Sequence, residues 1–201
     1  MEKIYVYPAS DRIWHWIHAL SIAMLIITGI PLHFSSLRFM SLPAAVKLHT
    51  FFGLVVSFDF ILYLLNMFFY GSIKNYLPRK SDGKEAILMA KYYLWGIFRG
   101  EEEPFHPRPG HRLNALQKPA YLVVMMILVP IQIATGILIW KASGAEALLN
   151  SLGGLKTIST LHLLNAYLLA AFLISHIYLA TTGKTPSYFF RVMITGYADE
   201  D

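Results

Sequence analysis

Eight histidines and no cysteine are the first chemical facts of this 201-residue chain. His106 and His111 fall in a polar, proline-rich stretch. The other six, His15, His18, His33, His49, His162 and His176, lie in or at the edges of strongly apolar sequence. An ionisable ring at such a place is costly and faces a partner inside a helix bundle. His162 and His176 are fourteen residues apart. On a helix, fourteen steps of about 100° return to within about 40° of the same face and rise about 21 Å. One helix therefore presents two imidazoles on a shared face, near opposite ends. The missing cysteines exclude thiolate-held zinc or iron–sulfur centres and covalent c-type haem, which needs C-x-x-C-H.

The elements that must position these rings are set by hydropathy. The chain is 56% hydrophobic and only 14% charged, whereas a soluble domain carries nearer a quarter of charged residues. Its apolar residues gather in four blocks, Ile13–Phe34, Leu48–Phe69, Pro119–Trp140 and Thr157–Thr182. Each has the roughly 20 residues that cross a bilayer core of about 30 Å. The first block is longer than a signal-peptide core and no small-residue cleavage pattern follows it, so it is expected to be retained. The expected fold is all-α: an integral membrane four-helix bundle, one domain over residues 1–201.

Charge orients that bundle. Of 17 Lys and Arg, thirteen precede the first block, follow the fourth, or lie between the second and third. Arg38, Lys47, Lys141 and Lys156 alone occupy the other two connections. The positive-inside rule then places both termini and the middle loop in the cytoplasm. The net charge of +5 has this membrane explanation and does not call for nucleic acid. Within the loop, Tyr70 to Gln117, the part from Lys84 to Phe98 mixes apolar and basic residues and reads as an interfacial amphipathic helix or as a helix packed on the ends of the bundle.

Orientation converts histidines into pairs. The fourth helix runs inward, so His162 is near the periplasmic face and His176 near the cytoplasmic one. His15 opens the first helix on the cytoplasmic side, and His49 opens the second on the periplasmic side. The pairs are His15–His176 and His49–His162. Two histidines on facing helices, with few acids nearby, suit a non-covalent b-type haem; zinc would lack two ligands at each site. Two axial imidazoles leave iron no open position, which favours electron transfer. Gly29, Gly53 and Gly136 would let a porphyrin lie near backbone, or simply let helices approach.

At this point DRIWHW, KLHTFFG, LNALQK, TLHLLNAY and LISHIYLA, in that order, resemble the membrane cytochrome b subunits of respiratory formate dehydrogenases and nickel–iron hydrogenases. The tail TGKTPSYFFRVMITGY is closer to the thiosulfate reductase-like branch of the same superfamily. The resemblance implies two b haems on His15, His49, His162 and His176, and a site for menaquinone or ubiquinone near His176 with its asparagine at Asn114. It further implies transfer of electrons across the membrane between the quinone pool and a periplasmic or membrane-attached redox subunit, an iron–sulfur protein or multihaem cytochrome c, as in anaerobic respiration. Asn114 reads equally as a helix N-cap. Spacing does not choose between His15 and His18: the HW motif selects His15, and depth in the bilayer selects His18. His33 is an alternative to His49, which KLHTFFG favours. Asp59, in mid-helix, is either a neutral hydrogen-bonded carboxyl or part of a proton route. Arg38, Lys47 and Lys141 outside, and Arg12 and Lys118 inside, are candidates for haem propionates or ordinary interface anchors. Two rivals remain: a stand-alone diheme cytochrome b acting on quinone, and a colourless transporter or scaffold.

Overall fold

The computed structural model describes residues 3–69, 71–77 and 79–199; Tyr70, where the middle loop was expected to begin, lies outside them. Among the described residues four helices are long and apolar enough to cross a membrane: α1 (Ala9–His33), α2 (Leu42–Phe69), α4 (Gln117–Trp140) and α6 (Gly154–Ala180). Between α2 and α4 runs α3 (Asp82–Lys91), which continues through a wide turn at Tyr92–Gly96 into Ile97–Arg99. A short α5 (Glu146–Ser151) precedes α6, and α7 (Tyr188–Thr195) follows it.

Each helix starts before its expected block, by six residues in the case of Leu48, because α2 begins at Leu42, and α1 ends at His33, one residue before Phe34. Hydropathy marks the segment that meets lipid, whereas backbone hydrogen bonding continues into the polar flanks. Pro43 supports the early start, since a proline in the first turn costs no hydrogen bond. At the other end α6 stops at Ala180, two residues short of Thr182. There the hydroxyls of Thr181 and Thr182 donate to the carbonyls of Tyr178 and Leu179, and Gly183 follows.

The spans bury several polar side chains among apolar ones and are apolar outside. Ser21, Thr28, Asp59, Lys118, Thr135 and Asn165 are buried, while Phe58, Ile174 and many other large apolar side chains are exposed. That inversion suits a chain whose solvent is hydrocarbon. Pro130 falls just after a wide turn at Val124–Leu128, which absorbs the loss of its backbone donor.

The chain divides into two compact units: Met1–Ile13 with Asn66–Val124 and Leu173–Asp201, and Trp14–Leu65 with Met125–Phe172. In the first, β1 (Lys3–Tyr5) pairs antiparallel with β2 (Tyr197–Asp199), so the two ends of the chain lie side by side. Val6, Tyr188, Val192 and Ala198 form a small core under this ribbon. Gly196 ends α7 at φ +88°, and a Cβ there would sit 2.6 Å from the Tyr7 carbonyl oxygen, so only glycine fits. Arg12 donates to the Ile194 carbonyl, and Arg112 pairs with Asp11 at 2.5 Å. α3 packs Met89 and Tyr92 against Phe105, and Asp82 accepts two bonds from Lys118, at 2.8 and 2.9 Å.

Candidate functional site

The second unit carries the best-formed site. His49, on α2, and His162, on α6, face each other with ring centres 6.3 Å apart. They line an apolar cavity of about 260 Å³ together with Leu25, Ile133, Ala166 and other residues of all four spans. His33 also lines this cavity.

The two imidazoles are held alike. Thr28 donates its hydroxyl hydrogen to the Met24 carbonyl at 2.6 Å, and His49 Nδ1 lies 3.0 Å from the Thr28 hydroxyl oxygen. Thr135 donates to the Ile131 carbonyl at 2.7 Å, and His162 Nδ1 lies 2.9 Å from the Thr135 hydroxyl oxygen. A hydroxyl has one hydrogen. Since each is spent on the carbonyl four residues back, each threonine accepts at the ring, and each Nδ1 must carry the proton. That leaves Nε2 with its lone pair, the tautomer a metal ligand requires. A second observation agrees at His162. Gln132 Oε1 accepts from Asn165 at 2.7 Å, which turns the Gln132 amide nitrogen toward His162 Nε2, 3.1 Å away. This Nε2 is therefore an acceptor.

Glycine follows threonine at both places. A Cβ on Gly29 would lie 3.6 Å from His49 Cε1, and one on Gly136 only 3.2 Å from His162 Cε1. These glycines admit the two imidazole rings to the helix surface. At Gly53 a Cβ would meet nothing within 4 Å, so that glycine faces the open cavity.

The donor set fits haem. With a metal–imidazole bond of about 2 Å and a ring nitrogen about 1.1 Å from its ring centre, two imidazoles on opposite sides of one iron have centres about 6 Å apart. Among the described residues no cluster of three or more His, Cys, Asp or Glu exists that would suit a metal held by protein alone.

Deeper in α1, His18 Nδ1 lies 2.6 Å from Asp59 Oδ2. Trp14 stacks between His18 and Tyr63, and its indole donates to the Asp59 carbonyl at 3.4 Å. His18 and Asp59 each stand ten positions from Thr28 and His49 on the same two helices. Asp59 is thus a hydrogen-bonded carboxyl with a named partner. His15, one turn earlier, meets Trp16 edge to face at 5.1 Å.

The first unit holds His176. Its Nδ1 lies 2.8 Å from the Tyr121 hydroxyl, and the two rings meet edge to face at 6.0 Å. Tyr121 precedes Thr135 by fourteen residues on α4, as His162 precedes His176 on α6. Asn114 is fully buried. Its Oδ1 accepts from the backbones of Leu116 and Gln117, while Gln117 Oε1 accepts from the Asn114 backbone N–H. This reciprocal pairing is a capping box at the entrance to α4. The remaining amide hydrogens of Asn114 face Tyr93, whose hydroxyl accepts at 2.9 Å. Burial, with the charge of Glu103 nearby, pushes the Tyr93 hydroxyl up to about 12, and burial pushes Glu103 up to about 7.

Of the cations considered for propionates, Lys118 is engaged by Asp82 and Arg12 by a backbone carbonyl, while Lys141 stands 4.0 Å over the Trp140 ring. Sequence reasoning valued the glycines of the two Thr-Gly pairs and passed over the threonines. Tyr121, Gln132, Tyr93 and Glu103 carried no motif, and Asn165 lay unremarked within TLHLLNAY; a polar residue within an apolar run was the only signal for Tyr121 and Gln132.

A four-span membrane bundle with paired interior imidazoles defines a b-type membrane cytochrome. Residues 6–196 match the prokaryotic cytochrome b561 family, and the chain belongs to it. It is 31% identical to the cytochrome YdhU of Escherichia coli (strain K12) over 98% of this chain and 75% of that one. It is 28% identical to a Ni/Fe-hydrogenase B-type cytochrome subunit of Rhodobacter capsulatus, over 89% of this chain and 74% of the relative.

Proposed function

We propose that the chain is a diheme electron-transfer subunit of a membrane oxidoreductase, one membrane domain linking the quinone pool to a redox partner. The observation that carries this reading is the His49–His162 pair, 6.3 Å apart in an apolar cavity, with both Nδ1 atoms held by threonine. Haem, when bound, would supply a one-electron couple, and His49 and His162 would hold it. The chain orients the rings, keeps each Nε2 unprotonated, and walls off water with aliphatic side chains.

The second haem is assigned to His15 and His176 from the sequence. Supporting it, Tyr121 repeats at His176 the contact that Thr135 makes at His162. Menaquinone or ubiquinone is placed near His176 and Asn114. Asn114 acts there through the Tyr93 hydroxyl it holds, and Glu103, with a pKa of about 7, is a carboxyl able to hold a proton beside it. Both termini are placed in the cytoplasm, consistent with the pairing of β1 with β2. The partner, an iron–sulfur protein or multihaem cytochrome c, then docks on the periplasmic side near 35–46 and 141–156. The printed name of the Rhodobacter relative, a hydrogenase subunit, favours a redox enzyme in that role.

Pyridine haemochrome analysis of the purified protein should give two b haems per chain, both reduced by a short-chain quinol. A colourless protein, or one haem per chain, would refute the proposal.

A further inference from the structure

The helix in the middle loop has two unlike faces. Met89, Tyr92 and Gly96 turn inward and pack with Phe105, Ile97 and Leu116. Both of its early acids turn the same way: Asp82 bonds Lys118, and Glu85 Oε1 accepts from the Ala115 backbone at 2.9 Å. What remains outside is Lys84, Ile87, Leu88, Lys91, Leu94, Trp95, Phe98 and Arg99, all exposed, with Ile87 at 72% and Phe98 at 76%. This face holds five large apolar side chains and three cations, and no acid.

Its height is also fixed. Lys118, which Asp82 holds, is the second residue of α4; the Tyr92 hydroxyl donates to the carbonyl of Thr182, just past the end of α6, at 3.4 Å. α3 and the turns that continue it therefore lie at the level where two spans leave the hydrocarbon. A solvated helix would carry its acids on the exposed side, and a face kept for neutral lipid would not need three cations.

We propose that this face docks on an anionic membrane surface, with Leu94, Trp95 and Phe98 below the headgroups and Lys84, Lys91 and Arg99 among the lipid phosphates. Each such cation is worth about fivefold in partition to an anionic leaflet. The inference rests on reading α4 and α6 as spans.

The chain has no cysteine, so a single Leu94→Cys places one nitroxide on this face of the haem-loaded protein in nanodiscs. Glu102→Cys reports water, and Ile174→Cys, exposed on α6, reports lipid. In discs containing phosphatidylglycerol, the ratio of oxygen to nickel-chelate accessibility at position 94 should exceed that at 102 by about threefold or more. It should fall in purely zwitterionic discs, and Lys84→Gln, Lys91→Gln and Arg99→Gln together should abolish the lipid dependence. A water-like ratio at 94 beside a lipid-like one at 174 overturns the inference alone, as does protection from both reagents, which means a protein partner. A water-like ratio at 174 overturns the span reading and the inference together.

Discussion

Thr28 and Thr135 decide the chemistry of the rings they touch, because a hydroxyl that donates backward to its own helix has only lone pairs to offer forward. The consequence is a fixed tautomer at His49 and His162. Thr135→Val keeps the shape and removes the acceptor. It takes the hydroxyl acceptor from a buried N–H and leaves it only the Gln132 carbonyl, at a cost of up to about 1–3 kcal/mol. Loss of such a supporting bond lowers metal affinity by about 10–100-fold. The variant should lose the haem of that site on extended washing, read as a halved b-haem content, while Thr135→Ser should retain it. Equal haem retention in the two variants would show that the hydroxyl is idle. None of this was legible in the sequence beyond the fact that a polar residue interrupts an apolar run. A hydroxyl's partner depends on rotamer and on the neighbouring helix, neither of which spacing specifies.

At the scale of the helix, periodicity was informative. The fourteen-residue interval of His162 and His176 recurs on α4 as Tyr121 and Thr135, and α1 and α2 show a ten-residue interval of the same kind. Antiparallel neighbours repeat their pairings in this way when they share a register. The glycines beside the threonines were visible too: Gly29, Gly53 and Gly136 all line the cavity, and Gly29 and Gly136 also make room for the imidazole rings. Gly136→Ala must displace His162 by a few tenths of an ångström, whereas Gly29→Ala makes ordinary contact. The first substitution should shift the midpoint potential or absorption band of one haem, and the second should leave both near wild type. Potentiometric titration of the two proteins checks this, and equal effects would contradict it. Asn114 had two readings in the sequence, and the capping box shows that its carbonyl serves the start of α4.

For the whole molecule, composition and charge alone specified four apolar helices, and the pairing of the chain's two ends accords with an even number of crossings. The apolar exterior followed from the same logic. Helix bounds were less legible, since hydropathy measures depth in lipid and not backbone pairing. The His18–Asp59 contact was legible only as an unexplained acid, because its partner lies forty-one residues away on another helix. The account turns on one claim, that His49 and His162 hold a haem of their own. The most direct test is the reduced-minus-oxidised spectrum and haem content of His162→Ala against the unsubstituted protein. The account predicts that one of two b haems disappears and the other keeps its band and potential. Retention of both haems in His162→Ala would contradict it.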